Sequence, residues 1–147
     1  MKINDRYITK TLFSFTLLVL IIWIGIYSFF NFLSEVDRIG EENYSTLDAM
    51  IYTFLKIPEV IYSHASAVIL LGCILGMGHL ATTNQLVVMR VSGTSITKLT
   101  LITVRIALIF VFVFIFIGEF ISPYTSEEAL KMRSKELGIS IATQNQE

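Results

Sequence analysis

Residues 11–34 read TLFSFTLLVLIIWIGIYSFFNFLS and hold no Asp, Glu, Lys or Arg in 24 consecutive positions. As a helix this stretch is about 36 Å long at ~1.5 Å per residue. That is enough to cross a hydrocarbon core of roughly 30 Å with room for tilt. Two further stretches share its character. Residues 60–89 are uncharged throughout, and residues 99–118 carry only Arg105. A chain of 147 residues cannot hide three such helices from water, because much of a small domain's chain stays at its surface. Overall composition agrees, with 54% apolar and only 16% charged residues against roughly 25% charged in soluble domains. The expected fold is an all-α membrane protein with three transmembrane helices, over about residues 11–33, 60–81 and 99–121. Residues 1–121 form the transmembrane domain and residues 122–147 a tail. Pro123 is expected to bound the third span.

Lys2, Arg6 and Lys10 precede the first apolar run. The run is too long for a signal-peptide core, and no small-residue cleavage pattern follows it. It therefore reads as an uncleaved span. The basic head faces a first outer loop that is mostly acidic, with Arg38 its only base. The excess of basic residues places the N-terminus in the cytoplasm. Three crossings then put residues 82–98 inside and the tail outside. Pro58 is expected to bend the entry to the second span, and residues 47–56 to form a short helix along the membrane surface.

A net charge of −1 implies no attraction to nucleic acid. The single cysteine, Cys73, excludes an internal disulfide. His64 and His79 have no Cys, Asp or Glu at ligand spacing, so no metal site is expected. No catalytic motif is visible, and no cofactor is implied.

The inner link, residues 82–98, carries the most functional information. Thr82, Thr83 or Asn84 can cap a helix start. Leu86, Val87, Val88, Met89 and Val91 give it apolar surface, Arg90 gives charge, and Ser92 with Gly93 ends it. Such a helix, over about residues 83–92, can insert Leu86 and Met89 into a partner's groove. A helix that rests only on lipid headgroups fits the residues equally well. In the second span Gly72, Gly76 and Gly78 are candidate packing residues, since the Gly72/Gly76 spacing permits close helix approach. The pattern does not identify the neighbour. Arg105 reads as a side chain snorkelling to lipid phosphates, and Glu119 as a structural contact near the outer interface.

Three passages carry a resemblance: DRYITKTLF (residues 5–13), LLGCILGMGHLATTNQLVVMRVSG (70–93) and IGEFISP (117–123). In order and spacing they resemble the lipopolysaccharide export permeases, the LptF/LptG family, and look closer to the G type. The resemblance implies one permease subunit of an ABC-type transporter, paired with a second permease of the same family. Its setting would be the inner membrane of a Gram-negative bacterium. A separate cytoplasmic ABC ATPase dimer would bind the coupling helices, and lipopolysaccharide would pass to a single-span periplasmic bridge protein. The coupling-helix residues would be Asn84, Gln85, Leu86, Val87, Met89 and Arg90. Family members commonly have Glu where this chain has Gln85, so neutral hydrogen bonds replace an ionic contact there. The G type tends to carry lysines beyond its first span. Here Arg38 stands nearly alone as the candidate lipid headgroup contact. The tail would be periplasmic and begin a β-jellyroll whose remainder the sequence lacks, so a fragment, a split gene product or a truncated reading frame is expected. The competing expectation is a small membrane scaffold or regulatory protein that packs through Gly72 and Gly76, or an inactive permease remnant.

Overall fold

The computed structural model describes residues 3–37, 39 and 45–136. The described residues are mostly helical, with no strand among them. The order is α1 (Ile3–Val36), α2 (Thr46–Leu55), α3 (Ile57–Ser63), α4 (Ala65–Thr82), α5 (Gln85–Val91), α6 (Ile96–Phe116), a π turn (Ile117–Ile121) and α7 (Ser122–Glu136). Three stretches are long and apolar enough to cross a membrane: Asp5–Val36, Ala65–Thr82 and Ile96–Lys135. The all-α membrane fold expected from the sequence is the fold observed. Arg38 and the start of the anticipated β domain lie outside the described residues. The chain divides into two compact units, Met1–Trp23 with His64–Phe114, and Ile24–Ser63 with Ile115–Glu147.

In the first unit, α4 and α6 pack on the first part of α1. Gly72 and Gly76 are the reason α4 can approach. A Cβ on Gly72 would lie 2.5 Å from both Cα and Oγ1 of Thr16, and one on Gly76 would lie 2.8 Å from Cδ2 of Leu12. Thr16 is fully buried, and its hydroxyl donates to the Leu12 carbonyl at 2.9 Å, so it leaves no polar atom unpaired. Ring contacts add to the seam. Phe13 meets Phe110 at 5.1 Å, Phe15 meets His79 at 5.0 Å and Trp23 meets His64 at 5.5 Å between centroids. Between α4 and α6, the Thr103 hydroxyl approaches the Met77 sulfur at 3.6 Å. Ile8, Leu12, Val68, Leu80, Ile106, Phe110 and Phe114 fill the interior.

The second unit has a more polar core. α2 and α3 pack against α7 around Ala49 and Ala129, both fully buried. The Glu59 carboxylate joins α3 to α7. It accepts from Lys56 Nζ at 2.8 Å and from the Ser126 hydroxyl at 2.7 Å. Partial burial pushes the Glu59 pKa up, but these hydrogen bonds and the Lys56 charge outweigh it and hold the group below its ordinary value. Arg133 reaches Glu35 at 3.2 Å and lies over the Tyr52 ring, 5.1 Å from its centroid. The Tyr62 ring occupies the space a Cβ on Gly118 would need.

Two boundaries differ from the sequence expectation. The apolar run over 60–81 is interrupted at His64, between the end of α3 and the start of α4. Upstream, α2 stops at Leu55 because Pro58 has no N–H for the Phe54 carbonyl and its ring would strike it. Pro58 is instead accommodated in the first turn of α3. At the other end, Pro123 does not stop the third apolar helix. The π turn before it widens the backbone, and the Ser122 N–H bonds back to the Ile117 carbonyl. This places Glu119, whose carbonyl Pro123 would otherwise crowd, inside the widened turn.

The start of α2 gives a pH prediction. Asp48 Oδ2 accepts from the Ser45 hydroxyl at 2.7 Å and the Ser45 N–H at 2.9 Å, and both bonds lower its pKa. A depressed carboxylate pKa stabilises the folded form above the unfolded value of about 3.9, and that contribution is lost as pH falls through the folded value. Amide exchange over residues 45–49 is therefore expected to accelerate below about pH 4 relative to the rest of α2. Asp48→Asn should remove that pH dependence. An unchanged profile in the variant would assign the effect to another group.

Candidate functional site

The candidate site is α5, in the first unit. It follows α4 after a tight turn at Thr83 and Asn84. The Thr83 hydroxyl donates to the His79 carbonyl at 2.7 Å. Asn84 takes a left-handed backbone conformation, φ 55° and ψ 10°, and makes no side-chain cap. The sequence expectation of a capping oxygen is thus replaced by a conformational role, since Asn tolerates this region better than most residues. The far end is closed by two backbone bonds, Thr94 N–H to Met89 O at 2.9 Å and Gly93 N–H to Arg90 O at 3.0 Å. These form a Schellman motif, with Gly93 at φ 89° supplying the left-handed residue. A helix of only seven residues is thereby fixed at both ends.

The two faces of α5 divide cleanly. At about 100° per residue, Gln85, Leu86 and Met89 share one face. Met89 is buried, and Gln85 and Leu86 are half-buried. The opposite arc holds Val87, Val88, Arg90 and Val91, all exposed, with Val88 at 67% and Val91 at 85%. Of the two side chains expected to enter a partner, Met89 is buried within its own chain and Leu86 is half-buried. Gln85 Oε1 is buried without a hydrogen-bond partner. Of the six coupling-helix candidates, Val87 and Arg90 remain on the free face and Asn84 at its exposed start. Val88 and Val91 join that face.

The three candidate glycines separate as well. Gly72 and Gly76 are used internally against α1. A Cβ on Gly78 would meet nothing within 4 Å among the described residues, so Gly78 packs against no described helix. The scaffold reading required Gly72 and Gly76 to receive another protein, and both are already covered. The candidate headgroup residue Arg38 is outside the described residues.

The described residues define an all-α membrane protein with three long apolar helical stretches and a short helix, closed by a glycine, between the second and third. The chain matches the family described as lipopolysaccharide export system permease LptF/LptG over residues 6–146. It belongs to that family. It is 30% identical over 142 residues to the lipopolysaccharide export system permease protein LptG of Escherichia coli strain K12, covering 95% of this chain and 39% of that protein. It is 31% identical over 133 residues to the LptG protein of Haemophilus influenzae, covering 90% of this chain and 37% of that protein. These relatives place it nearer the LptG type. The chain spans less than half the length of the curated relatives it matches.

Proposed function

We propose that this chain belongs to a permease subunit that exports lipopolysaccharide from the inner membrane of a Gram-negative bacterium. A cytoplasmic ABC ATPase dimer drives it through α5. A second permease of the same family completes the cavity, and a single-span periplasmic protein receives the lipid. The reading keeps the N-terminus and α5 in the cytoplasm, as the basic residues Lys2, Arg6 and Lys10 favour. ATP hydrolysis belongs to the partner.

The observation that carries this reading is the exposed Val87, Val88 and Val91 face with Arg90 beside it, on a helix fixed at both ends and anchored by Met89. A rigid helix can transmit a partner's movement to α4, on which it packs. A loose surface segment cannot. Apolar residues left exposed on α1, including Leu18, Ile21 and Ile22 in the first unit and Phe29 and Phe30 in the second, suit acyl chains and the neighbouring permease.

The test is co-purification of an ABC ATPase with the full native protein, tagged in its own membrane. Val88→Asp and Val91→Asp place a charge in the contact without touching the chain's own packing. Each is expected to reduce recovered ATPase about tenfold, the factor for ~1.4 kcal/mol. Recovery unchanged in both variants would remove the docking claim. Met89→Ala should instead lower the protein's own stability, by about 2 kcal/mol or more, as emptying a buried site does.

A further inference from the structure

We propose that the first unit holds a binding site for the phosphate of an anionic phospholipid, in the leaflet on the same side as α5. It is a cavity of about 170 Å³ lined by Asp5, Thr9, Ile102, Arg105, Ile106 and Ile109. The inference rests on the membrane location and not on the transport reading.

Charge accounting selects an anion. Asp5 is paired with Lys98 Nζ at 2.7 Å, so the one acid in the lining is already balanced. The Thr9 hydroxyl donates to the Asp5 carbonyl at 2.8 Å and is also occupied. Arg105 makes no ion pair among the described residues. The site therefore carries one uncompensated positive charge. Helical side chains lean toward the N-terminal end of their helix. Arg105 on α6 thus reaches back toward Lys98 and Asp5, the polar end of the cavity. A guanidinium suits this place because its fork can bond two oxygens of one phosphate.

The remaining lining selects a lipid over a free ion. Ile106 and Ile109 lie beyond Arg105 on α6, away from the charged end, and Ile102 lines the cavity between Arg105 and Lys98. Arg105 itself lies in a stretch apolar enough to span a membrane. A phosphodiester at Arg105 would lay its glycerol and first methylenes along these isoleucines. Inorganic phosphate has nothing to place there.

The experiment is native mass spectrometry of the full protein in detergent with added phosphatidylglycerol, phosphatidylcholine or inorganic phosphate. Wild type is expected to retain phosphatidylglycerol over phosphatidylcholine. Arg105→Gln should lower that preference about fivefold, the factor for one basic residue at an anionic surface. Ile109→Trp, which fills the cavity and keeps every charge, should lower it similarly. Arg6→Gln, at an exposed basic residue outside the lining, should leave it intact. Millimolar inorganic phosphate should neither bind nor compete. The proposal is overturned if the preference survives both cavity variants. Competition by inorganic phosphate would overturn the lipid assignment alone.

Discussion

Gly72→Leu is expected to separate α4 from α1 and lower the stability of the first unit by more than about 3 kcal/mol, beyond the usual cost of overfilling a core. The obstacle is backbone. A Cβ at this position would sit 2.5 Å from the Thr16 Cα, and that atom cannot move without moving α1. The Thr16 hydroxyl, also 2.5 Å away, is tied to the Leu12 carbonyl. Swinging it aside would break a buried hydrogen bond, at a further cost of about 1 kcal/mol.

Gly76 should be more forgiving. Its first obstacle is Cδ2 of Leu12, the far end of a flexible side chain, with the Leu12 Cα at 3.2 Å behind it. Gly78 should tolerate substitution, because nothing lies within 4 Å. Gly78→Ala gives the direct comparison, and removing a glycine from a helix interior should stabilise it by about 0.5–1 kcal/mol. The measurement is thermal unfolding in detergent, followed by the fluorescence of Trp23, the only tryptophan. Trp23 packs on His64, so its emission should shift when α4 leaves α1. Equal melting of Gly72→Leu and Gly78→Leu would show that the close approach does not hold the unit together.

The three apolar helices were legible because runs without charge have no other use at this length. The Gly72/Gly76 spacing was legible as a close contact, but its partner was not. Thr16 is 56 positions away from Gly72 in the chain, and no local pattern links them. Only the fold shows that the contact is internal, and that turns the glycines from a candidate interface into core. The interruption at His64 left no sequence signal, since the residues around it are neither Gly nor Pro. Pro123 gave a misleading one, because a π turn can absorb a proline that a regular helix cannot. The short helix after Asn84 was legible in extent, through its apolar run and Gly93. Its orientation was not. Both faces are apolar, so periodicity sorts Leu86 and Met89 from Val87 and Val91 without saying which pair meets the chain.

Arg133→Met is expected to destabilise the second unit by about 3 kcal/mol, the lower end of the cost of removing one member of a buried ion pair, because Glu35 keeps a further interaction. Lys131, Arg133 and Lys135 look alike in sequence, as bases on a charged helix. Lys131 stays at the surface, paired with Glu127 at 2.6 Å. Arg133 is 13% exposed, and the Glu35 side chain it meets is 6% exposed. Its guanidinium also reaches the Tyr52 hydroxyl at 3.5 Å and covers the Tyr52 ring, while Nε is buried without a hydrogen-bond partner. The ring face supplies attraction where a hydrogen bond is missing. Replacing both charges should be far milder than replacing one, because apolar residues of similar size often substitute for a buried pair at little cost. The double variant Glu35→Leu with Arg133→Met should therefore melt well above Arg133→Met alone. Lys131→Met should shift melting little, since exposed pairs contribute about 0–1 kcal/mol. If Arg133→Met and Lys131→Met melt alike, the Glu35 pair is one more surface contact, and α7 is held to α2 by Ala49, Ala129 and their neighbours alone. If they differ as expected, one arginine out of three look-alike bases ties the end of α1 to α2 and α7, and the polar core of the second unit depends on it.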